Sequence, residues 1–419
     1  MSQKDTAKQI TVIVIPTYNE ADNIGQMIEY LNTKTFPPLQ NKWDLKILVV
    51  DGNSPDGTAD IVKKLSQKYT QTTHLFLETS KDGLGAAYLK GFKYAMEELK
   101  ADVVFEFDAD FQHPPEMIAP ILAEIDKGFD YILGSRKIAG GSIPQGWGFK
   151  RVFFSEAGGL TARLLLFFPF KNFWRVTDPT TGLKATRVKG FLDHLNLDFS
   201  HLHTKGFAYK MQLLFETLKL GAKYKEVPLH FQVRTDGESK IEGNAVLDGI
   251  KVCFLTRWYD DFTQKFLKFG TVGFIGYLIN ASTLAFFSRL WGIEWLSWFL
   301  STELAIISNF SLNNLWTFKS DKISGSKLIS KFLTFNLSSA GALLIQTVLG
   351  TLGVMVLGAA SRQILLPFII LFCVLPYNWL MYNKFIWKKP NGSPLSKGET
   401  AKPRGIGTVN INFKLKIKN

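Results

Sequence analysis

Cysteine is nearly absent from this 419-residue chain, which holds only Cys253 and Cys373. A disulfide scaffold and a cysteine-based zinc module are thereby excluded. Phosphate-cradling glycine motifs are missing as well. There is no G-x-x-x-x-G-K-S/T run, and no G-x-G-x-x-G follows a strand-like segment, which disfavours a P-loop kinase or a dinucleotide enzyme. Gly83-Leu84-Gly85 is a shorter turn that reads equally well as a tight strand–helix connection. The first nine residues lack the apolar stretch of a secretory signal, so no cleavable leader is expected. Charge is scarce over two long stretches. Positions 332–383 carry a single charged residue, Arg362, and positions 269–318 carry three, Arg289, Glu294 and Glu303.

These stretches predict a membrane domain behind a soluble one. Four spans are expected, over 266–289, 295–317, 331–358 and 363–385, since uncharged runs such as 269–288 reach the roughly 20 residues a bilayer core requires. The second is the weakest, with Glu303, Asn309, Asn313 and Asn314. Polar groups in hydrocarbon are costly, so these should face neighbouring helices. Lys265 and Lys268 precede the first span, Lys319, Lys322, Lys327 and Lys331 lie between the second and third, and Lys384, Lys388 and Lys389 follow the fourth. The positive-inside rule then places both termini and the soluble domain in the cytoplasm. The net charge is +13, from 49 Lys and Arg against 36 Asp and Glu. Much of the excess lies beside the spans and in the basic tail 390–419, which argues for a membrane surface and against nucleic acid as partner.

Upstream, strand and helix patterns alternate. Ile10–Pro16 and Leu45–Asp51 are continuous β-branched runs of the kind buried on both faces of a sheet. Further strands are predicted at 74–78, 101–108 and 131–134. Helices are predicted from Asn19, as a possible cap, and at 58–70, 84–99 and 116–127. Repeated units of this kind imply an α/β fold with a parallel sheet, whose ligands bind beyond the carboxyl ends of the strands. Pro16–Glu20, Asp51 and Asp108–Gln112 all fall at such ends. Asp108-Ala109-Asp110 followed by Gln112 offers hard oxygen donors that suit a divalent cation; no His/Cys cluster accompanies them, which argues against zinc. Residues 147–170 are apolar but interrupted by Lys150, Arg151, Glu156 and Arg163, a pattern that predicts a pair of interfacial helices. Residues 246–265 read as an amphipathic connector.

Seven motifs stand in order: Ile15-Pro16-Thr17-Tyr18-Asn19-Glu20; Val49-Val50-Asp51; Ser54-Pro55-Asp56-Gly57-Thr58; Asp108-Ala109-Asp110-Phe111-Gln112-His113-Pro114-Pro115; Gly134-Ser135-Arg136; Asp178-Pro179-Thr180-Thr181-Gly182; and Arg234-x-x-Gly237-x-Ser239-Lys240. Over about residues 10–245 they resemble the polyprenol-phosphate sugar synthases of glycosyltransferase family 2, the mannose-synthase type above all. The membrane spans resemble the GtrA-type domain often joined to such enzymes.

The resemblance implies a GT-A (Rossmann-like) domain over 1–245 and a membrane domain over 266–389. It also implies inverting transfer of mannose from GDP-mannose to dolichyl or polyprenyl phosphate. On that pattern Pro16, Tyr18, Glu20 and Asp51 line the nucleoside pocket. Asp110 and Gln112, with Asp108 alongside, hold Mg²⁺ or Mn²⁺ against the diphosphate. Arg136, Arg151 and Ser155 hold the acceptor phosphate, and Arg234 and Lys240 close over the donor. Asp108, Asp110 and Arg136 are the expected catalytic set. The alternative readings are a sheet-end ion pair for Arg136 and a surface charge for Arg151. The family commonly has consecutive acids after the second strand, where this chain has Asp51-Gly52-Asn53. That departure keeps UDP-glucose or another nucleotide sugar open as donor. A lipid-linked sugar transporter with a degenerate transferase domain is the alternative from another class.

Overall fold

The two β-branched runs form the centre of a sheet: β1 (Gln9–Thr17) pairs in parallel along its whole length with β2 (Trp43–Asp51). Their side chains alternate between two cores, as a period of two requires. Ile13 and Ile15 face one, with Met27, Val62 and Leu122, while Val12 and Val14 face the other, with Tyr88 and Phe92. The computed structural model describes residues 8–79, 81–144, 147–232, 245–319, 322–325, 327–374 and 377. It divides between Gln264 and Lys265 into two compact units.

In the first unit, β3 (Thr73–Leu77), β4 (Val103–Glu106), β5 (Tyr131–Ser135), β6 (Lys184–Arg187) and β7 (Tyr224–Pro228) complete a seven-stranded sheet of order β3-β2-β1-β4-β6-β5-β7. The helices are α1 (Ala21–Tyr30), α2 (Thr58–Lys68), α3 (Leu84–Glu97), α4 (Ile118–Asp126), α5 (Phe149–Phe167), α6 (Asn172–Arg175), α7 (Tyr209–Lys219) and α8 (Ala245–Trp258). The sheet is mixed rather than purely parallel, because β6 runs antiparallel to both β4 and β5. Its sequence, Lys-Ala-Thr-Arg, has no apolar run to announce a strand. Asn19 does not cap α1: it takes a left-handed φ of 56° in the preceding turn, and Glu20 occupies the cap position. Gly83 opens α3 at φ 103°, where a Cβ would stand 2.6 Å from the Lys205 carbonyl oxygen, so the Gly83-Leu84-Gly85 turn is explained by packing.

The segment 147–170 forms one helix, α5, rather than two. One side of it, Ala162, Leu166 and Phe167, joins a third core with α7 and α8. The other side exposes Phe149, Phe153, Phe154, Leu160 and Leu164.

The second unit is helical, with most of α9 (Asp261–Trp291), then α10 (Glu294–Leu312), α11 (Lys327–Leu357) and α12 (Arg362–Ile369). Among the described residues two helical segments, Asp261–Trp291 and Ser339–Leu357, are long and apolar enough to cross a membrane. Polar side chains here pair between helices. Asn280 donates to Gln346 at 2.8 Å, Asn336 pairs with Glu303, and Arg362 pairs with Glu294. The fourth predicted span opens with α12, and its positions 375, 376 and 378–385 lie outside the described residues.

Candidate active site

The carboxyl edge of the sheet gathers the sequence-predicted residues into two groups. The first surrounds the ends of β1 and β2. Asp51 is fully buried and accepts three hydrogen bonds, from Thr17 Oγ1 at 2.8 Å and from the Ser54 amide and hydroxyl at 2.9 and 2.7 Å. A carboxylate offers about four acceptor positions, so Asp51 chiefly fixes the loop after β2. Ser54 and Thr58 in turn accept from the Asn19 and Glu20 amides, tying the two loops together. Glu20 is nearly buried and accepts from Asn23. Half-buried Pro16 lies near the end of β1 and half-buried Tyr18 just beyond it, with the Lys81 ammonium 3.7 Å from the centre of the Tyr18 ring. The absent second acid has a local counterpart. A Cβ at Gly52 would stand 3.6 Å from Glu78 Oε2, so negative charge is kept beside Asp51 from the end of β3. Burial pushes the Glu78 carboxyl up, against the pull of Lys90.

Beyond β4, the turn Asp108–His113 carries the oxygen donors. Phe111 adopts a left-handed φ of 60°, which folds the turn so that the Gln112 amide donates to Asp110 Oδ1 at 3.1 Å. Asp110 is nearly buried and Asp108 partly exposed. Asp108 accepts from the Tyr88 hydroxyl at 3.2 Å and lies 3.9 Å from the buried Lys210 ammonium. The buried His113 ring is 3.4 Å from Asp108 Oδ2. Burial lowers its pKa to about 4, despite the nearby Asp108 charge, so near neutral pH it adds no positive charge. Among the described residues no three His, Cys, Asp or Glu side chains form a closed metal cage. Two carboxylates and one amide oxygen on a single turn fit a hard divalent ion that keeps waters or takes phosphate oxygens.

The second group is built on Arg136, just after β5. Its guanidinium donates from Nε and Nη2 to buried Asp178 at 2.7 Å each, and from Nη2 to Thr180 at 2.9 Å. The ion pair is therefore real, and it uses three of five side-chain N–H groups, leaving both on Nη1. Arg151 stacks over Trp147, with its guanidinium carbon 4.1 Å from the ring centre, and that of Arg136 lies 6.0 Å from the same ring. Burial, helped by the Arg136 charge, lowers the pKa of Arg151. Ser155, half-buried, follows Arg151 by one helical turn on α5 and shares its face. Aromatic rings join the two groups. His113 meets Phe231 at 5.7 Å between centroids, Phe231 meets Trp147 at 5.9 Å, and the Arg136 guanidinium lies 5.6 Å from Phe231.

Arg234 and Lys240 lie outside the described residues. Sequence reasoning missed Tyr88, Trp147, Lys210 and Phe231 as site residues. It did single out the Asp178–Gly182 run that supplies the Arg136 partner.

Residues 12–191 match the family described as Glycosyl transferase family 2, and residues 268–387 match GtrA/DPMS, transmembrane domain. A "Dolichol-phosphate mannosyltransferase" of Pyrococcus furiosus is 30% identical over 78% of this chain and 86% of its own length. The chain belongs to glycosyltransferase family 2. An "Undecaprenyl-phosphate mannosyltransferase" of Micrococcus luteus is 35% identical to this glycosyltransferase over 58% of this chain and 92% of its own. A "Polyprenol monophosphomannose synthase" of Mycolicibacterium smegmatis is 32% identical over 58% and 84%. The C-terminal match makes this family 2 glycosyltransferase a membrane protein.

Proposed function

We propose that the enzyme transfers mannose from GDP-mannose to the phosphate of a polyprenyl or dolichyl phosphate, inverting the anomeric carbon. One observation carries the reading. An oxygen-donor turn suited to a metal-bound diphosphate is joined through His113, Phe231 and Trp147 to a pair of arginines suited to a second phosphate. The names of the three relatives agree with that chemistry.

In this reading Pro16, Tyr18, Glu20 and Asp51 shape the nucleoside pocket. Asp110 and Gln112, with Asp108 beside them, hold Mg²⁺ or Mn²⁺, which would offset charge developing on the nucleoside diphosphate leaving group. Arg136 offers the two N–H groups of Nη1 to the acceptor phosphate, while Asp178 holds the fork in place. Arg151 and Ser155 hold the same phosphate from α5, and Arg234 and Lys240 cover the donor. A phosphate monoester has its second pKa at about 6 and is largely dianionic near neutral pH. It is already the nucleophile, so no side chain need act as general base. The positive-inside pattern supports four spans, with both termini and the reaction on the cytoplasmic side. The exposed aromatic side of α5 supports an interfacial position for that helix.

The test is transfer to polyprenyl phosphate by the full chain in detergent. Labelled GDP-mannose, UDP-glucose and UDP-N-acetylglucosamine are compared, each with and without Mg²⁺ or Mn²⁺. Metal-dependent labelling from GDP-mannose is expected. Labelling from a UDP-sugar alone overturns the donor, and no transfer by folded protein overturns the reading.

A further inference from the structure

Lys210 is a fully buried cation on α7 to which the proposed chemistry gives no task. Its ammonium lies 3.9 Å from Asp108 Oδ1, the oxygen that accepts from the Tyr88 hydroxyl. It donates to the Gly182 carbonyl at 3.4 Å, and the Tyr88 and Phe207 ring centres lie 5.2 and 4.7 Å away. Gly182 provides the space. A Cβ there would stand 2.9 Å from the ammonium and 2.8 Å from His113 Cε1. A buried ammonium is costly unless paired, and Asp108 is its acidic neighbour. The nearby buried acid Glu106 is engaged by Tyr209, whose hydroxyl donates to it at 2.7 Å.

We propose that Lys210 is a resident counter-ion for Asp108, so that the Asp108–Gln112 turn holds a divalent cation weakly by itself and firmly only together with a nucleoside diphosphate. The inference rests on assigning that turn to a divalent cation. Two carboxylates offset by one ammonium leave a net single negative charge facing a doubly charged ion. The diphosphate supplies the rest. Lys210 acts through Asp108 and is a positioning residue, and its effect is on ion affinity before any turnover.

The experiment is Mn²⁺ titration of the full chain in detergent by electron paramagnetic resonance, without nucleotide and with GDP or UDP. Wild type is compared with Lys210→Met, Lys210→Gln and the double variant Asp108→Asn/Lys210→Met. Wild type should bind Mn²⁺ at least about tenfold more tightly with nucleotide than without, a coupling of about 1.4 kcal/mol. Either single variant should tighten binding of Mn²⁺ alone by about tenfold. The double variant restores the wild-type net charge and should return affinity towards the wild-type value. Unchanged Mn²⁺ affinity in a folded single variant overturns the proposal. So does a wild type that binds Mn²⁺ equally well without nucleotide, a result that needs no variant. If no protein binds Mn²⁺ under any condition, the cation assignment itself falls, which is a separate outcome.

Discussion

Replacing Asp178 by Asn tests whether Arg136 is held ready or merely stored. The side chains of Asp178 and Arg136 are 0% and 9% exposed, so solvent screening is slight. With about 4 Å between charge centres and an effective dielectric of about 20, the attraction is about 4 kcal/mol. Breaking a buried pair by removing one partner typically costs about 3–5 kcal/mol, because a charge is left uncompensated. For a domain of this size, that corresponds to a fall in unfolding temperature of at least about 6 °C. Burial alone would raise the Asp178 carboxyl, but the hydrogen bonds and charge of Arg136 outweigh it and hold it below the usual carboxylate range. The contribution is therefore full above the unfolded pKa of about 3.9 and is lost as pH falls through the lower folded value. The deficit of Asp178→Asn should be constant from pH 5 to 8 and shrink below about pH 4. In steady-state transfer assays the variant should raise KM for the lipid phosphate and leave KM for the donor unchanged. Unfolding temperature and acceptor KM both at wild-type values would refute the idea that Asp178 orients the arginine.

Three further outcomes follow from the geometry. Trp147→Leu removes the ring shared by Arg136 and Arg151; with a cation–π contact worth about 0.5–2 kcal/mol, acceptor KM should rise about twofold to thirtyfold in the same assay. Burial pushes Lys184 down to about 8, against the pull of Glu106, while an unfolded lysine titrates at about 10.4. Between those values the unfolded chain binds more protons, so stability rises with pH. Thermal unfolding at pH 7.5 and 10 should therefore move wild type up relative to Lys184→Met, by as much as about 3 kcal/mol; a flat difference contradicts the assignment. In the membrane unit, Gln346→Leu removes the acceptor for Asn280 and Thr302. It should lower the unfolding temperature in detergent by a few degrees, since such contacts average about 0.6 kcal/mol and reach about 1.7.

Ile10–Pro16 and Leu45–Asp51 were legible as strands because burial on both faces leaves an unbroken β-branched run. β6 was not, because its four residues include Lys184 and Arg187. Their side chains are satisfied by partners no local pattern reveals: Lys184 donates to the Lys210 carbonyl, and Arg187 donates to those of Ile125 and Phe129 and pairs with Asp130. α7 was hidden in the same way, with Lys210 and Gln212 interrupting its apolar positions though both are buried. At the site, Asp108, Asp110 and Gln112 could be read directly because they share one turn. The Arg136–Asp178 bond spans 42 residues, so sequence offered both ends and not the link. The structure joins two readings that sequence kept apart, since Arg136 is an ion pair and still keeps two N–H groups. Gly52 looked like the loss of an acid, and only the fold brings Glu78 beside it.

β6 has a mechanical consequence. β4 and β5 do not touch along the sheet; each is hydrogen-bonded to β6. On one side stand β3, β2, β1 and β4 with the Asp51 and Asp108–Gln112 loops, and on the other β5 and β7 with Arg136 and the approach to Phe231. A four-residue strand thus separates the places where donor and acceptor would rest. A change that shifts β6 by a fraction of an ångström need unfold neither side. It would alter the gap across which the sugar must move, and the enzyme would keep its grip on both substrates while losing its stride.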